Sequence, residues 1–180
     1  MSTSSDIYTI VAFSDAHGNK DNLAVAMEKH RHCDAFIYLG DGVYEFDELA
    51  ERYNIPHYAV RGNGDFFCIN PTPILDFISI GKMKIMLCHG NSLNAKYTND
   101  EMLKTAVLHN ADMVLYGHTH IAVSKYYSAY ELKCIVPSSS RDEGIYVVNP
   151  GSISYPRDDR TSYAVIDVVD NKASVSIVRI

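Results

Sequence analysis

The stretch IYTIVAFSDAHGN, residues 7–19, decides how the rest of the chain is read. Its first part, Ile7 to Phe13, is an apolar run of strand length and reads as a buried strand. Its second part, Ser14 to Asn19, is polar and carries a glycine, so the strand ends there. Leu23, Ala26, Met27 and His30 follow at helical spacing. The alternation then repeats. Ala35 to Leu39 is a second strand, and Phe46, Leu49, Ala50 and Tyr53 mark a second helix. His57 to Val60 starts a third strand. The order β-α-β-α-β implies a partly parallel sheet.

Past that point the rhythm changes. Ile74 to Ile80 and Lys84 to Cys88 flank Gly81 and read as a hairpin. Thr98 and Glu101 resemble a capping box that opens a helix reaching about His109. Met113 to Tyr116 is another apolar strand, and beyond His120 the chain looks mostly β. Tyr163 to Val169 and Ala173 to Ile180 flank a tight turn at Asp170 and Asn171. Ser128 to Gly144, with its Pro137-Ser-Ser-Ser140 run, reads as a surface loop or an excursion from the fold. The expected fold is therefore α/β or α+β, with two packed sheets and helices outside.

Bulk composition narrows the function. The chain has 180 residues, 47% hydrophobic and 21% charged, which suits one globular domain spanning residues 1–180. A net charge of −6 disfavours general nucleic-acid binding. No apolar run is long enough to span a membrane, and Met1 to Asp6 lack the features of a signal peptide, so a cytoplasmic protein is expected. Cys33, Cys68, Cys88 and Cys134 form no C-x-x-C pair and read as reduced thiols. Tyr126 and Tyr127 are explained by strand packing before base stacking.

Polar residues recur at one kind of place, just after an apolar strand. Asp15 and His17 follow the first strand, Asp41 the second, and Asn63 and Asp65 the third. His89 follows the hairpin, while His118 and His120 follow the strand after the last helix. In open α/β sheets ligands bind beyond the carboxyl ends of strands, so these clusters can converge on one pocket. Asp, His and Asn together offer the oxygen and nitrogen donors that suit manganese, iron, cobalt, nickel or zinc. The spacing of two in Asp15/His17 and His118/His120 is expected to put each pair on one side of an extended backbone.

These residues, in this order, resemble the calcineurin-like metallophosphoesterase superfamily and its small bacterial and archaeal phosphodiesterase branch. The pattern is D-x-H, G-D, G-N, a lone His before Gly, then G-H-x-H, and it resumes at Asn149-Pro-Gly-Ser152. The resemblance implies a four-layer α-β-β-α sandwich of two mixed sheets, with the metal site at strand carboxyl ends. It implies one divalent ion, most readily Mn2+ (with Ni2+, Co2+, Fe2+ or Zn2+ as alternatives), on Asp15, His17 and His120. A second ion would sit on Asn63, His89 and His118, with Asp41 bridging the pair about 3.5–4 Å apart. Asp41, Asn63 and His89 would be the catalytic residues, and a metal-bridging hydroxide the nucleophile. The implied partner is a small phosphate-ester substrate, and small relatives often self-associate.

One departure from the pattern matters. Larger relatives carry His after the G-N pair, where this chain has Gly64, so no general acid is named and good leaving groups should react best. Asp65 is expected either to orient a ligand histidine or to serve as a turn carboxylate. Asn19 borders the site or starts a helix, and Arg61 leads Arg141 and Arg157 as a phosphate-gripping candidate. A phosphomonoesterase is the alternative within enzymes. A non-catalytic scaffold with the same fold, as in a eukaryotic membrane-sorting complex, is the alternative outside them.

Overall fold

The computed structural model describes residues 6–66, 68 and 70–180; most of the polar start, residues 1–5, lies outside them. The elements are β1 (Ile7–Phe13), α1 (Asp21–Lys29), β2 (Ala35–Tyr38), α2 (Val43–Ala50), β3 (His57–Ala59), β4 (Leu75–Ile80) and β5 (Met83–Cys88). After a short 3-10 turn come α3 (Asp100–Leu108), β6 (Met113–Leu115), β7 (Ala122–Tyr127), α4 (Ala129–Ile135), β8 (Ile145–Pro150), β9 (Ser162–Val169) and β10 (Lys172–Arg179).

They build two five-stranded mixed sheets, ordered β10-β9-β1-β2-β3 and β4-β5-β6-β8-β7. β1, β2 and β3 run parallel, and so do β5, β6 and β8, while β9 pairs antiparallel with both β1 and β10, β4 with β5, and β7 with β8. The layering follows from side-chain alternation. Ile10 and Ala12 of β1 join Ile37 of β2, Ile85 and Leu87 of β5 and Leu115 of β6 in the core between the sheets. The intervening Val11 and Phe13 instead pack with Leu23, Met27, Phe46 and Leu49 under α1 and α2. On the opposite side Met86, Val114 and Val147 meet Met102, Leu103 and Leu132 of α3 and α4. Strands covered on both faces show near-continuous apolar runs, which is why Ile7 to Phe13 reads as it does. The expected four-layer α-β-β-α fold is the observed one.

Three local expectations need correction. The capping box at Thr98 and Glu101 is absent: Thr98 Oγ1 accepts from the Asp100 amide at 3.1 Å, and the Glu101 carboxylate takes Lys104 at 2.8 Å. A capping box does occur within the segment expected to be loop. Ser128 Oγ accepts from the Glu131 amide at 3.3 Å, and the Glu131 carboxylate accepts from the Ser128 amide at 2.8 Å. That starts α4, which buries Leu132. The helical spacing through Tyr53 also outruns α2, though the Tyr53 ring still packs on the same core, 5.6 Å from Phe36.

Candidate metal centre

Each polar cluster sits at a strand's carboxyl end, as expected. Asp15 and His17 follow β1, Asp41 follows β2, Asn63 follows β3, His89 follows β5, and His118 and His120 follow β6. The first three strands belong to one sheet and the other two to its partner, so the cleft opens where both sheets end together. The same-side argument from an extended backbone fails, however. Asp15, His17, Asp41, His118 and His120 all have left-handed backbones, with φ of 59°, 46°, 58°, 67° and 60°. Each costs about 1 kcal/mol or more for a side-chain-bearing residue, and Asp and His are among those that tolerate it best. Such strain concentrates where the fold must aim side chains at one point.

The side chains do meet. His17 Nε2 and His120 Nε2 are 3.1 Å apart. Asp15 Oδ1 lies 3.2 Å from His120 Nε2 and 3.8 Å from His17 Nε2. Asp41 Oδ2 lies 3.4 Å from His89 Nε2 and 3.8 Å from His17 Nε2. Two overlapping donor groups result, Asp15/His17/His120 and Asp15/Asp41/His89. Metal–ligand bonds of about 2.0–2.2 Å put neighbouring donors roughly 3 Å apart, so this spacing fits shared cations.

Tautomers point the same way. His89 Nδ1 must donate to the Leu39 carbonyl, 2.6 Å away, because a carbonyl can only accept. His120 Nδ1 likewise donates to the Tyr155 carbonyl. In their neutral forms both rings then turn the Nε2 lone pairs into the cluster. His89 Nε2 and Asp15 Oδ1 are buried without a hydrogen-bond partner. Two inward-facing acceptors left bare in this way call for a cation.

Burial by itself would raise the Asp41 carboxyl, but His89 and the Gly64 amide hold it down at about 2. Burial and the neighbouring His89 push His118 down to about 4, which keeps its ring neutral. His120 is raised by Asp15, and His89 is raised because Asp41 and Asp15 outweigh its burial.

The backbone behind these groups is stitched by residues that no motif announced. Ser14 Oγ donates to Asp15 Oδ2 at 2.6 Å, and the His118 amide donates to the same oxygen at 3.0 Å, which leaves Oδ1 free. The buried Tyr38 hydroxyl accepts from the Ala16 amide at 3.0 Å and donates to the Asp41 carbonyl at 3.2 Å, tying the first two loops. The Asn149-to-Ser152 motif has a similar duty. Asn149 Nδ2 donates to the Gly117 carbonyl at 2.8 Å, and Ser152 Oγ donates to the Asp15 carbonyl at 2.7 Å. Gly117 has no room for a side chain: a Cβ there would lie 2.9 Å from Leu39 O and 3.0 Å from Asp15 Oδ2.

The remaining candidates separate. His118 stands beside His89, with ring centroids 5.0 Å apart, but outside both donor groups. Asn63 is exposed at the end of its loop. Asp65 touches no histidine nitrogen. Its carboxylate accepts the amides of Asp41, Gly42, Val43 and Gly62, so the histidine-orienting expectation gives way to one of joining two loops. Asn19 accepts the Asp21 amide at 3.1 Å, at the start of α1. Arg61 borders a neighbouring hollow with Asp65 and Phe66, and Arg141 is paired with Asp112 at 2.8 Å. The cleft over the centre, about 390 Å³, is lined by His17, Asp41, Tyr44, Glu45, Gly64 and Phe66 among others, with no Arg or Lys among the described residues.

This fold and donor set define a class. The chain belongs to the calcineurin-like phosphoesterase superfamily, whose domain model matches residues 9–171. It is 30% identical over 168 residues to the probable metallophosphoesterase YsnB of Bacillus subtilis, covering 92% of this chain and 88% of that protein. A conserved predicted phosphoesterase from Streptococcus pneumoniae superposes with a TM-score of 0.77 at 24% identity, over 98% of this chain and 91% of that one. Vacuolar Protein Sorting 29 from Cryptosporidium parvum superposes with a TM-score of 0.69 at 16% identity, over 97% and 98%, which is a likeness of fold. Among the described residues no helix is long and apolar enough to cross a membrane.

Proposed function

We propose that this chain hydrolyses small phosphodiesters with two divalent cations, manganese first, held by Asp15, His17, Asp41, Asn63, His89, His118 and His120. The bare, buried Asp15 Oδ1 and His89 Nε2 carry this reading. Bound there, the ions would acidify a water molecule and neutralise charge on the phosphoryl oxygens. The protein holds the donors ready. Leu39 and Tyr155 fix two imidazole tautomers, and the low pKa of Asp41, about 2, keeps its carboxylate charged. In the reaction the water oxygen bonds to phosphorus as the bond to the leaving oxygen breaks, and the water's proton passes to solvent. Gly64 puts no imidazole beside the leaving group, so its own stability as an anion should set the rate.

The diester is favoured over the monoester by charge. A monoester dianion gains from arginine or lysine, and the cleft lining offers Glu45 instead. The scaffold alternative shares the fold, but a scaffold does not by itself require bare acceptors in a buried cluster, whereas two-metal hydrolysis does.

The test is hydrolysis of bis(p-nitrophenyl) phosphate by metal-stripped protein with manganese restored, beside Asp41→Asn. Manganese-dependent turnover that vanishes in the variant is expected. Inactivity with manganese, nickel, cobalt and zinc alike would defeat the proposal. Faster turnover of p-nitrophenyl phosphate than of the diester would move it to the monoester.

A further inference from the structure

The cleft also carries aromatic surface that neither the fold nor the donor cluster requires. Phe66 is 84% exposed and Tyr44 50% exposed, and both line the same cleft as Asp41 and His17. They come from different elements, Tyr44 from the first turn of α2 and Phe66 from the loop after β3. Both therefore reach the cleft beside the loops that carry Asp41 and Asn63. Tyr155 adds a third ring, 51% exposed, meeting the His17 imidazole edge-on at 6.0 Å. Single exposed apolar residues are ordinary on any surface. Two that border one polar cleft, with a third against its histidine, are not explained by core packing. Tyr126, by contrast, has structural partners: it packs on Tyr146 at 4.7 Å and its hydroxyl accepts from the Gly144 amide.

We infer that Tyr44 and Phe66 select substrates whose non-leaving ester group is a flat aromatic ring, a nucleobase or an aryl group. The inference rests on the phosphodiesterase reading and deepens it. With no Arg or Lys among the described residues of the lining, apolar faces are the means this cleft offers of adding affinity beyond the phosphoryl group. Aromatic rings supply these at low entropic cost because few torsions are frozen. Stacking one ring on such a face is worth about fivefold to a hundredfold in affinity. A diester is the form that can use it, since its second ester arm stays attached and can lie along the cleft.

The experiment compares equilibrium binding of diphenyl phosphate and dimethyl phosphate to manganese-loaded protein by calorimetry. Both probes are monoanions, so the phosphate is held constant. About tenfold tighter binding of diphenyl phosphate is expected. The ratio should fall towards one in Tyr44→Ala/Phe66→Ala and persist in Phe66→Tyr. Thymidine 5′-(methyl phosphate) as a third probe separates a nucleobase from a simple aryl ring, and the tighter of the two names the class. Equal affinities for the phenyl and methyl probes, or a ratio untouched by the double substitution, would overturn the inference. Because binding is read and not turnover, the two failures are distinguishable: a protein that fails to hydrolyse yet keeps the ratio would remove the enzymatic reading and leave only the aromatic selectivity of the cleft as a ligand site.

Discussion

Asp41 and Asp65 brace each other across two loops. The Asp65 carboxylate accepts the Asp41 amide at 2.7 Å, while the Asp41 carboxylate accepts the amide of Gly64, the residue before Asp65, at 2.6 Å. Asp65 also takes Gly42, Val43 and Gly62. Asp65→Asn would leave some of these amides short of acceptors. A loss of about 2 kcal/mol in urea unfolding is expected, from hydrogen bonds to a charged acceptor. Metal affinity should fall about tenfold, as it does when residues behind a ligand are lost. An unchanged manganese titration would show that the brace does not reach the donors.

Cation binding should be visible without catalysis. Filling the bare Asp15 and His89 acceptors stabilises the folded state alone, because the donors converge only there. At a hundred times the dissociation constant, manganese should add about 2.7 kcal/mol. The rise in melting temperature should vanish in Asp15→Asn. A shift that survives that substitution would place the ion elsewhere.

Acid should weaken a strut anchored in the β8–β9 loop. Arg179, at 2.7 Å, and the Ala122 amide hold the Asp158 carboxyl down to about 2. The folded value lies below the unfolded one, so this contribution is full above about pH 4 and is lost as pH falls towards 2. After solvent screening it is worth about 1 kcal/mol. Unfolding curves for Asp158→Asn should show that much less dependence on pH over this window. Identical slopes for the two proteins would refute the assignment.

The cap on α4 is a separable unit. Ser128→Ala removes the side-chain acceptor for the Glu131 amide and should cost about 1 kcal/mol. Hydrogen exchange should quicken over residues 129–135 with little change around the donor cluster. Uniform loss of protection through β1 and β5 as well would mean that the helix and the site unfold as one.

The sheet strands and the site loops were legible for one physical reason: strands covered on both faces must be continuously apolar, and each such run stops at its polar loop. Asp15, Asp41, His89 and His120 lie at those stops. What makes them converge was not legible. A left-handed backbone at Asp15 or His118 is set by tertiary packing, and no residue type at those positions demands it. Tyr38 and Asp65 act through hydrogen bonds to backbone groups, and Ser14 through one to the Asp15 carboxylate, none of which leaves a periodic trace in sequence. The Ser128 cap was hidden because Pro137-Ser-Ser-Ser140 dominates its neighbourhood. At Thr98 the same pattern of residues was present, but its hydroxyl turned to the nearer Asp100 amide.

The place of β9 has a consequence for how the molecule comes into being. β1 carries the Asp15 and His17 loop, and its neighbour on one side is β9, paired from Ile7–Val169 to Ala12–Ala164. β9 leaves the ribosome after every one of the candidate ligands. Until it emerges, β1 is an open edge, and the loop that supplies Asp15 to both donor groups lacks its lateral support. A nascent chain of this protein can expose every candidate ligand while β1 still lacks its β9 neighbour, so the donor cluster gains its full support only once residues 162–169 have joined the sheet.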